Sequence, residues 1–128
     1  MNVAQFREVH PVLPVRDVVE AVRYYAERLG FRPLFQDDPD APRYAGVGRG
    51  GVILHLQWHD PADFREAVDT LMLRFVIDDV DALFREYADK GVFHERTALR
   101  DTEWGTREFA FYDLDSNGLT FYRPRDTA

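Results

Sequence analysis

The sequence predicts an α+β fold of two tandem βαβββ modules, whose strands form a concave mixed sheet with the helices on its outer face. Three observations predict it. First, V-R-D-V-V-E-A-V-R-Y-Y-A-E-R-L-G at Val15–Gly30 and I-D-D-V-D-A-L-F-R-E-Y-A-D-K-G at Ile77–Gly91 each run from an aspartate through an amphipathic stretch with aromatics to a closing glycine. Second, strand-like sequence follows each copy. Third, the tails of the two halves match, Gly50–His55 (G-G-V-I-L-H) against Asn117–Tyr122 (N-G-L-T-F-Y). A duplicated unit of this kind builds a symmetric concavity suited to ligands. The 128 residues form one domain, with an arm at 1–8, module one at about 9–58 and module two at about 71–124.

In chain order, Val9–Val15 alternates as a strand, and Pro11 and Pro14 place it at an edge or junction because proline lacks a ladder donor. Asp17 caps a helix, with Glu20 as the reciprocal partner of a capping box. Val18, Val22, Tyr25 and Leu29 share one face of that helix, and Gly30 suits a left-handed C-cap. Phe31–Gln36 reads as a strand and Asp37–Arg43 as a loop. Tyr44–Val47 and Val52–Trp58 form a hairpin. His59–Thr70 links the halves, with a helical turn after Pro61. The second copy runs as strand Leu71–Ile77, helix Val80–Lys90 capped by Asp79, a strand near Val92–Thr97, and the hairpin Arg107–Tyr112 with Leu119–Arg123. The last two strands join through the turn Asp113–Gly118.

Composition narrows the function classes. Hydrophobic residues make up 45% and aromatics 14%, which suits a packed domain rather than a disordered chain. No apolar run reaches membrane-spanning length, and the N-terminus lacks a basic-then-apolar signal pattern. Without cysteine there are no disulfides, thiolate zinc sites or Cys nucleophile, which suits a cytoplasmic protein. The net charge of −7 argues against nucleic acid and for a cationic ligand drawn by long-range steering, although acidity also serves solubility alone.

Strand alternation assigns faces. Phe109, Phe111, Leu119 and Phe121 meet the helix, as do Leu71, Leu73, Phe75 and Ile77. The opposite face, the cup, then holds His10, Ile53, His55, Gln57, Met72, Arg74, Glu108, Thr120 and Tyr122. Arg74 and Glu108 face one another either as a structural ion pair or as ligand contacts, since a partly buried charge is retained when it is paired or used.

The run Pro11–Phe31 (P-V-L-P-V-R-D-V-V-E-A-V-R-Y-Y-A-E-R-L-G-F) and the run Trp104–Phe121 (W-G-T-R-E-F-A-F-Y-D-L-D-S-N-G-L-T-F) resemble the vicinal oxygen chelate superfamily, and within it the bleomycin resistance proteins. The resemblance covers nearly the whole chain. Metal enzymes of that superfamily place their ligands at positions that fall here on His10, Ile53, Met72 and Thr120. Only His10 is a competent donor, and a catalytic metal takes about three protein ligands, so the expectation is a protein without metal or cofactor. His55 and His59, four apart on a strand, are too distant to share one ion. A rearranged set of His10, His55 and Glu108 is the enzymatic alternative, for a lyase, isomerase or dioxygenase.

What the resemblance implies is sequestration of an antibiotic without chemistry. In that family, crevices of a homodimer hold aromatic side chains that stack on a planar ligand tail, and the matching positions are Tyr44 and Trp104. Gly105 lets a ligand approach the backbone, and Phe35 and Trp58 are further aromatic candidates, for each of which packing rather than ligand contact is the expectation. Asp37, Asp38, Asp40 and Glu103 flank the two main aromatics and suit a cationic ligand end. The bland alternatives are packing for Tyr44, a loop anchor for Trp104 and solvation for the acidic loop. The implied ligand is a bleomycin-class glycopeptide or another small aromatic or cationic molecule. The implied partner is a second copy, with exchange of the N-terminal arm at Pro11 and with Val3, Phe6 and Val9 giving the arm apolar purchase. A metabolite-binding module for another ligand is the third alternative.

Overall fold

The computed structural model describes residues 3–64 and 71–125. Module one runs β1 (Val12–Val15), α1 (Val18–Glu27), β2 (Arg32–Gln36), β3 (Tyr44–Arg49) and β4 (Val52–Trp58). A 3-10 turn at Pro61–Asp63 follows, its first amide capped by Asp60. Module two runs β5 (Met72–Val76), α2 (Val80–Tyr87), β6 (Arg100–Asp101), β7 (Thr106–Tyr112) and β8 (Gly118–Pro124). The concave surface is built as two four-stranded mixed sheets, ordered β1-β4-β3-β2 and β5-β8-β7-β6. In each, the first strand lies parallel to the last and the remaining pairs are antiparallel. No helix of the described residues is long and apolar enough to cross a membrane.

The duplication extends to the caps. Asp17 accepts from the Glu20 amide at 3.0 Å and Asp79 from the Ala82 amide at 2.9 Å. Gly30 and Gly91 close the helical segments at φ 77° and 72°, a left-handed conformation that costs glycine little. The expected reciprocal bond from Glu20 does not form. Its carboxylate takes a bond from Arg23 one turn on, at 2.9 Å. The second helix also stops earlier than Lys90. The Ala88 and Lys90 amides bond to Arg85 and Tyr87 three residues back, which tightens the end out of α-geometry.

The largest departure is the third strand of module two. Val92–Thr97 is not a strand, and pairing begins only at Arg100–Asp101. A local turn closes between the Thr97 amide and the His94 carbonyl at 3.0 Å. Side chains then do the work of a backbone ladder. His94 Nε2 receives the Tyr112 amide at 2.9 Å, and the Thr97 hydroxyl donates to the Ala110 carbonyl at 3.0 Å.

The modules dock through their helix-facing sides. Tyr25 and Tyr87, each eight residues past its capping aspartate, are buried with Phe109, Phe111 and Phe121 in one continuous core. Phe75 stacks on Phe121 with ring centroids 4.9 Å apart. Full burial of each such side chain contributes about 1.5–3 kcal/mol. Leu71, expected in this core, is exposed at the start of β5.

The turn Asp113–Asn117 locks the modules together. The Tyr25 hydroxyl donates to Asp113 Oδ2 at 2.6 Å, and Asp113 Oδ1 accepts from the Asp115 and Asn117 amides. Arg16 holds Asp115 through its amide and guanidinium, and the Asn117 side chain donates to the Pro14 carbonyl. Asp113→Ala would leave these donors buried without a partner, which costs about 3 kcal/mol. Urea unfolding should show that loss as a lower midpoint at unchanged slope. A loss under 1 kcal/mol would mean that the lock contributes little.

Candidate functional site

The outward faces of the two sheets carry two different clusters. On module one, the alternation that buries Ala45, Val47, Leu54 and Leu56 turns Tyr44, Gly46, Ile53, His55 and Gln57 to the opposite side. Phe35 pairs in register with Gly46, and its ring lies directly over that glycine. A Cβ at Gly46 would stand 2.3 Å from Phe35 Cε2, so only glycine admits the ring. Phe35 and Tyr44 are near parallel with centroids 6.3 Å apart, and both meet the His55 ring edge-on. The Tyr44 hydroxyl shares a hydrogen bond with His55 Nδ1 at 2.8 Å. The His10 ring lies 4.9 Å from His55 and its Nε2 reaches Glu8. This is an aromatic platform with polar edges, and Phe35 remains 46% exposed.

On module two the face is ionic. Glu108, only 5% exposed, accepts from the Arg74 guanidinium at 3.0 Å and the Thr106 hydroxyl at 2.8 Å. Arg100 stands 3.8 Å from its other oxygen. Burial alone would raise the Glu108 carboxyl, but the Thr106 hydroxyl and the two arginines outweigh it and hold the group below the ordinary glutamate range. Arg74 also covers the Tyr122 ring at 4.3 Å. Arg100 lies 5.8 Å from the Trp104 ring, a cation–π arrangement. Trp104 itself is 61% exposed, and the next residue, Gly105, sits at φ 86°, where a side chain would be strained.

The structure therefore brings together Tyr44, Phe35 and His55 in one group, and Arg74, Glu108 and Trp104 in another. It does not join them into the single lining expected from strand alternation. Among the described residues, no hydrogen bond, ion pair or ring contact connects the two groups within the chain. Trp58 belongs to neither. It shares parity with Leu54 and Leu56, so it lies on the helix side, packed on the core with Arg43 over its ring at 4.5 Å. The acidic loop is occupied in shaping itself. Asp37 accepts the Arg43 and Tyr44 amides, and Asp38 accepts those of Asp40 and Ala41. Those bonds hold the Asp38 carboxyl below its usual range. Sequence reasoning missed Gly46, Arg100 and Thr106. Parity within β3 and β7 was the available signal for the first and last.

The positions that would ligate a metal do not suit one. Ile53 has no donor atom, and the Thr120 hydroxyl is spent on the Met72 sulfur at 3.2 Å. Glu108 does not join the neighbouring His10 and His55, and among the described residues no three His, Asp or Glu side chains converge to hold an ion. No step through a metal is derived for this chain.

The fold and sequence recur in known proteins. The profile of the Glyoxalase/Bleomycin resistance protein/Dioxygenase superfamily matches residues 7–121. A bleomycin resistance protein from Geobacillus stearothermophilus is 25% identical over 127 residues, covering 88% of this chain and 93% of the relative. A bleomycin-binding protein from bleomycin-producing Streptomyces verticillus, solved with copper(II)-bleomycin, superposes at a TM-score of 0.76 with 26% identity. That match covers 98% of this chain and 100% of the other. The antibiotic-binding protein TnmS3 from Streptomyces sp. CB03234 superposes at 0.69 with 26% identity, over 94% and 99% of the two chains.

Burial, and then the neighbouring His10, hold the His55 imidazole below its ordinary value of 6.5. The unfolded chain therefore takes up this proton first as pH falls, and folding loses stability on that side of the ordinary histidine range. Between pH 8 and 5.5, the melting temperature should fall more for the native protein than for His55→Asn. Equal slopes in a thermal-shift series would show that His55 carries no such linkage.

Proposed function

Because the chain belongs to the glyoxalase/bleomycin resistance protein/dioxygenase superfamily, we propose that it binds and sequesters an antibiotic with a flat aromatic portion, of the bleomycin class, without transforming it. One observation carries this reading: large aromatic faces are held open to solvent by local structure. Trp104 stands on its loop between Arg100 and Gly105, and the Phe35 ring rests on Gly46 beside Tyr44 and His55. Exposed aromatics of this size cost solubility unless they meet a ligand or partner. The unsuitability of Ile53, Met72 and Thr120 as a donor set supports binding rather than metal-assisted chemistry.

Tyr44, Trp104, Gly105 and Phe35 are the proposed contacts, with His55, Arg74 and Glu108 lining the polar edge. Asp38 and its loop neighbours contribute negative potential towards a cationic ligand end. Offset stacking adds roughly 0.5–1.5 kcal/mol per ring pair, so two rings fall short of the approximately 8 kcal/mol of micromolar binding. Burial of the flat group and the charged edge provide the remainder.

The working unit in this proposal is a cytoplasmic homodimer. Edge strands β1 and β5 each have one unpaired side, and Val12, Met72 and Val76 on them are exposed. Unpaired edges with apolar side chains favour association. The arm is exposed too, with Phe6 at 100% and Val9 at 87%, as suits exchange onto a second copy. A second copy would set the aromatic platform of one chain against the Trp104 face of the other and complete a crevice that one chain leaves in halves.

Titration with bleomycin, followed by tryptophan fluorescence, should quench the native protein at micromolar concentrations. Trp104→Ala should weaken binding at least tenfold, about 1.4 kcal/mol, and leave the melting temperature nearly unchanged because the ring is exposed. No quenching at tens of micromolar would reject the drug assignment. A large stability loss with intact binding would make Trp104 a structural residue.

A further inference from the structure

The two modules repeat one another closely, but their inter-module junctions do not. The hairpin turn of module two spans five residues, Asp113–Asn117, between β7 and β8. It fills the space against α1 and takes the Tyr25 hydroxyl bond. The corresponding turn of module one spans two residues, Gly50 and Gly51, between β3 and β4. A Cβ on either glycine would meet nothing within 4 Å. Where the first junction is plugged by a polar turn, the second is left as a cleft of about 500 Å³ between Arg49–Val52 and α2. That volume falls in the range of small-molecule sites.

The floor of the cleft is apolar. Leu83, Phe75 and Phe31 line it and are the three most exposed members of the buried core, at 8%, 7% and 6%. Apart from Val92 at 5%, every other core residue is at 3% or less. The least buried part of the core thus lies along this cleft. The rim carries Arg49, Asp78, Asp79 and Glu86. Arg49 is consumed, donating to both Glu86 oxygens at 2.7 and 2.8 Å and to the Leu29 carbonyl at 2.8 Å. Asp78 and Asp79 each use one oxygen, for the Asp79 and Ala82 amides, and neither is in an ion pair among the described residues. Once Arg49 and Glu86 cancel, the rim carries the two aspartate charges above an aromatic and aliphatic floor.

We infer that this cleft is a second binding site, separate from the Trp104 and Tyr44 faces, that takes an amphipathic organic amine with its ring on Phe31, Phe75 and Leu83 and its ammonium at Asp78 and Asp79. It stands independently of the antibiotic reading, because it uses none of the residues proposed for that ligand.

Two matched probes test it: 1-naphthylmethylamine, a cation at pH 7, and neutral 1-naphthylmethanol. Each is titrated into the native protein and followed by amide and indole NMR shifts. Saturable shifts at Ala82 and Leu83, with the amine about fivefold tighter than the alcohol and the Trp104 indole unmoved, are expected. Asp78→Asn with Asp79→Asn keeps both capping oxygens and should abolish the preference for the amine while sparing alcohol binding. Val52→Phe should close the cleft to both. Shifts confined to Trp104, equal affinity for the two probes, or a preference that survives the paired Asn variant would overturn the assignment. So would undiminished binding to a folded Val52→Phe protein. The paired Asn variant decides the matter if Val52→Phe does not fold.

Discussion

The buried bond from the Tyr25 hydroxyl to Asp113, 2.6 Å long and spanning 88 residues of sequence, sets how the two modules face one another, and the functional surfaces follow from it. With Asp113 also holding its own turn, and Asp115 and Asn117 reaching Arg16 and Pro14, the modules are obliged to dock through their helix-facing sides. The aromatic core between them then takes one side of every central strand. What remains for each sheet is an outward face with no core to join, where polar and aromatic residues stand among aliphatic ones such as Ile53, Met72 and Val76. The same lock fills one junction and leaves its counterpart open beside Gly50 and Gly51.

The two outward faces differ in chemistry. Module one presents rings with few charges, and its loop aspartates are tied to backbone amides. Module two presents charge that is already balanced, since Glu108 is enclosed by Arg74, Arg100 and Thr106. A buried carboxylate so enclosed contributes little net stability, because the cost of desolvation offsets most of the attraction. Its effect is to orient two guanidinium groups, one over Tyr122 and one beside Trp104. Removing the carboxylate would free both arginines from the partner that orients them.

Much of this was legible in the residues alone. Period-two alternation placed Phe109, Phe111, Leu119 and Phe121 in the core and set Arg74 against Glu108. The repeated aspartate-to-glycine pattern located both helices and their caps. Alternation is a property of one strand, however, and says nothing of how sheets are placed. That is why Glu108 is expected in one cup with His10 and His55, whereas in the structure the two histidines stay together and Glu108 lies with Arg74 and Thr106 on the other module. Val92–Thr97 has strand-like composition, and the departure comes from His94 and Thr97, whose side chains can take the bonds a backbone would. Trp58, for which packing rather than ligand contact is the sequence expectation, shares parity with Leu54 and Leu56 and packs on the helix side.

Glycine explains what composition alone conceals. Gly46 and Gly118 occupy outward positions of their sheets, and each is covered by a larger side chain, Phe35 in one case and Met72 in the other. A Cβ at Gly118 would stand 2.6 Å from Met72 Cε, so each outward face has a floor low enough for one bulky group to lie flat. At Gly118 the bulky group is a flexible thioether that also accepts from Thr120. At Gly46 it is a rigid ring with its outer face in solvent. The two recesses lie on different strands of the repeat, β3 in module one and β8 in module two. A superfamily scaffold that elsewhere supports metal chemistry here has one recess closed by a sulfur contact and the other surfaced with an aromatic ring, an arrangement that favours gripping a flat molecule over activating it.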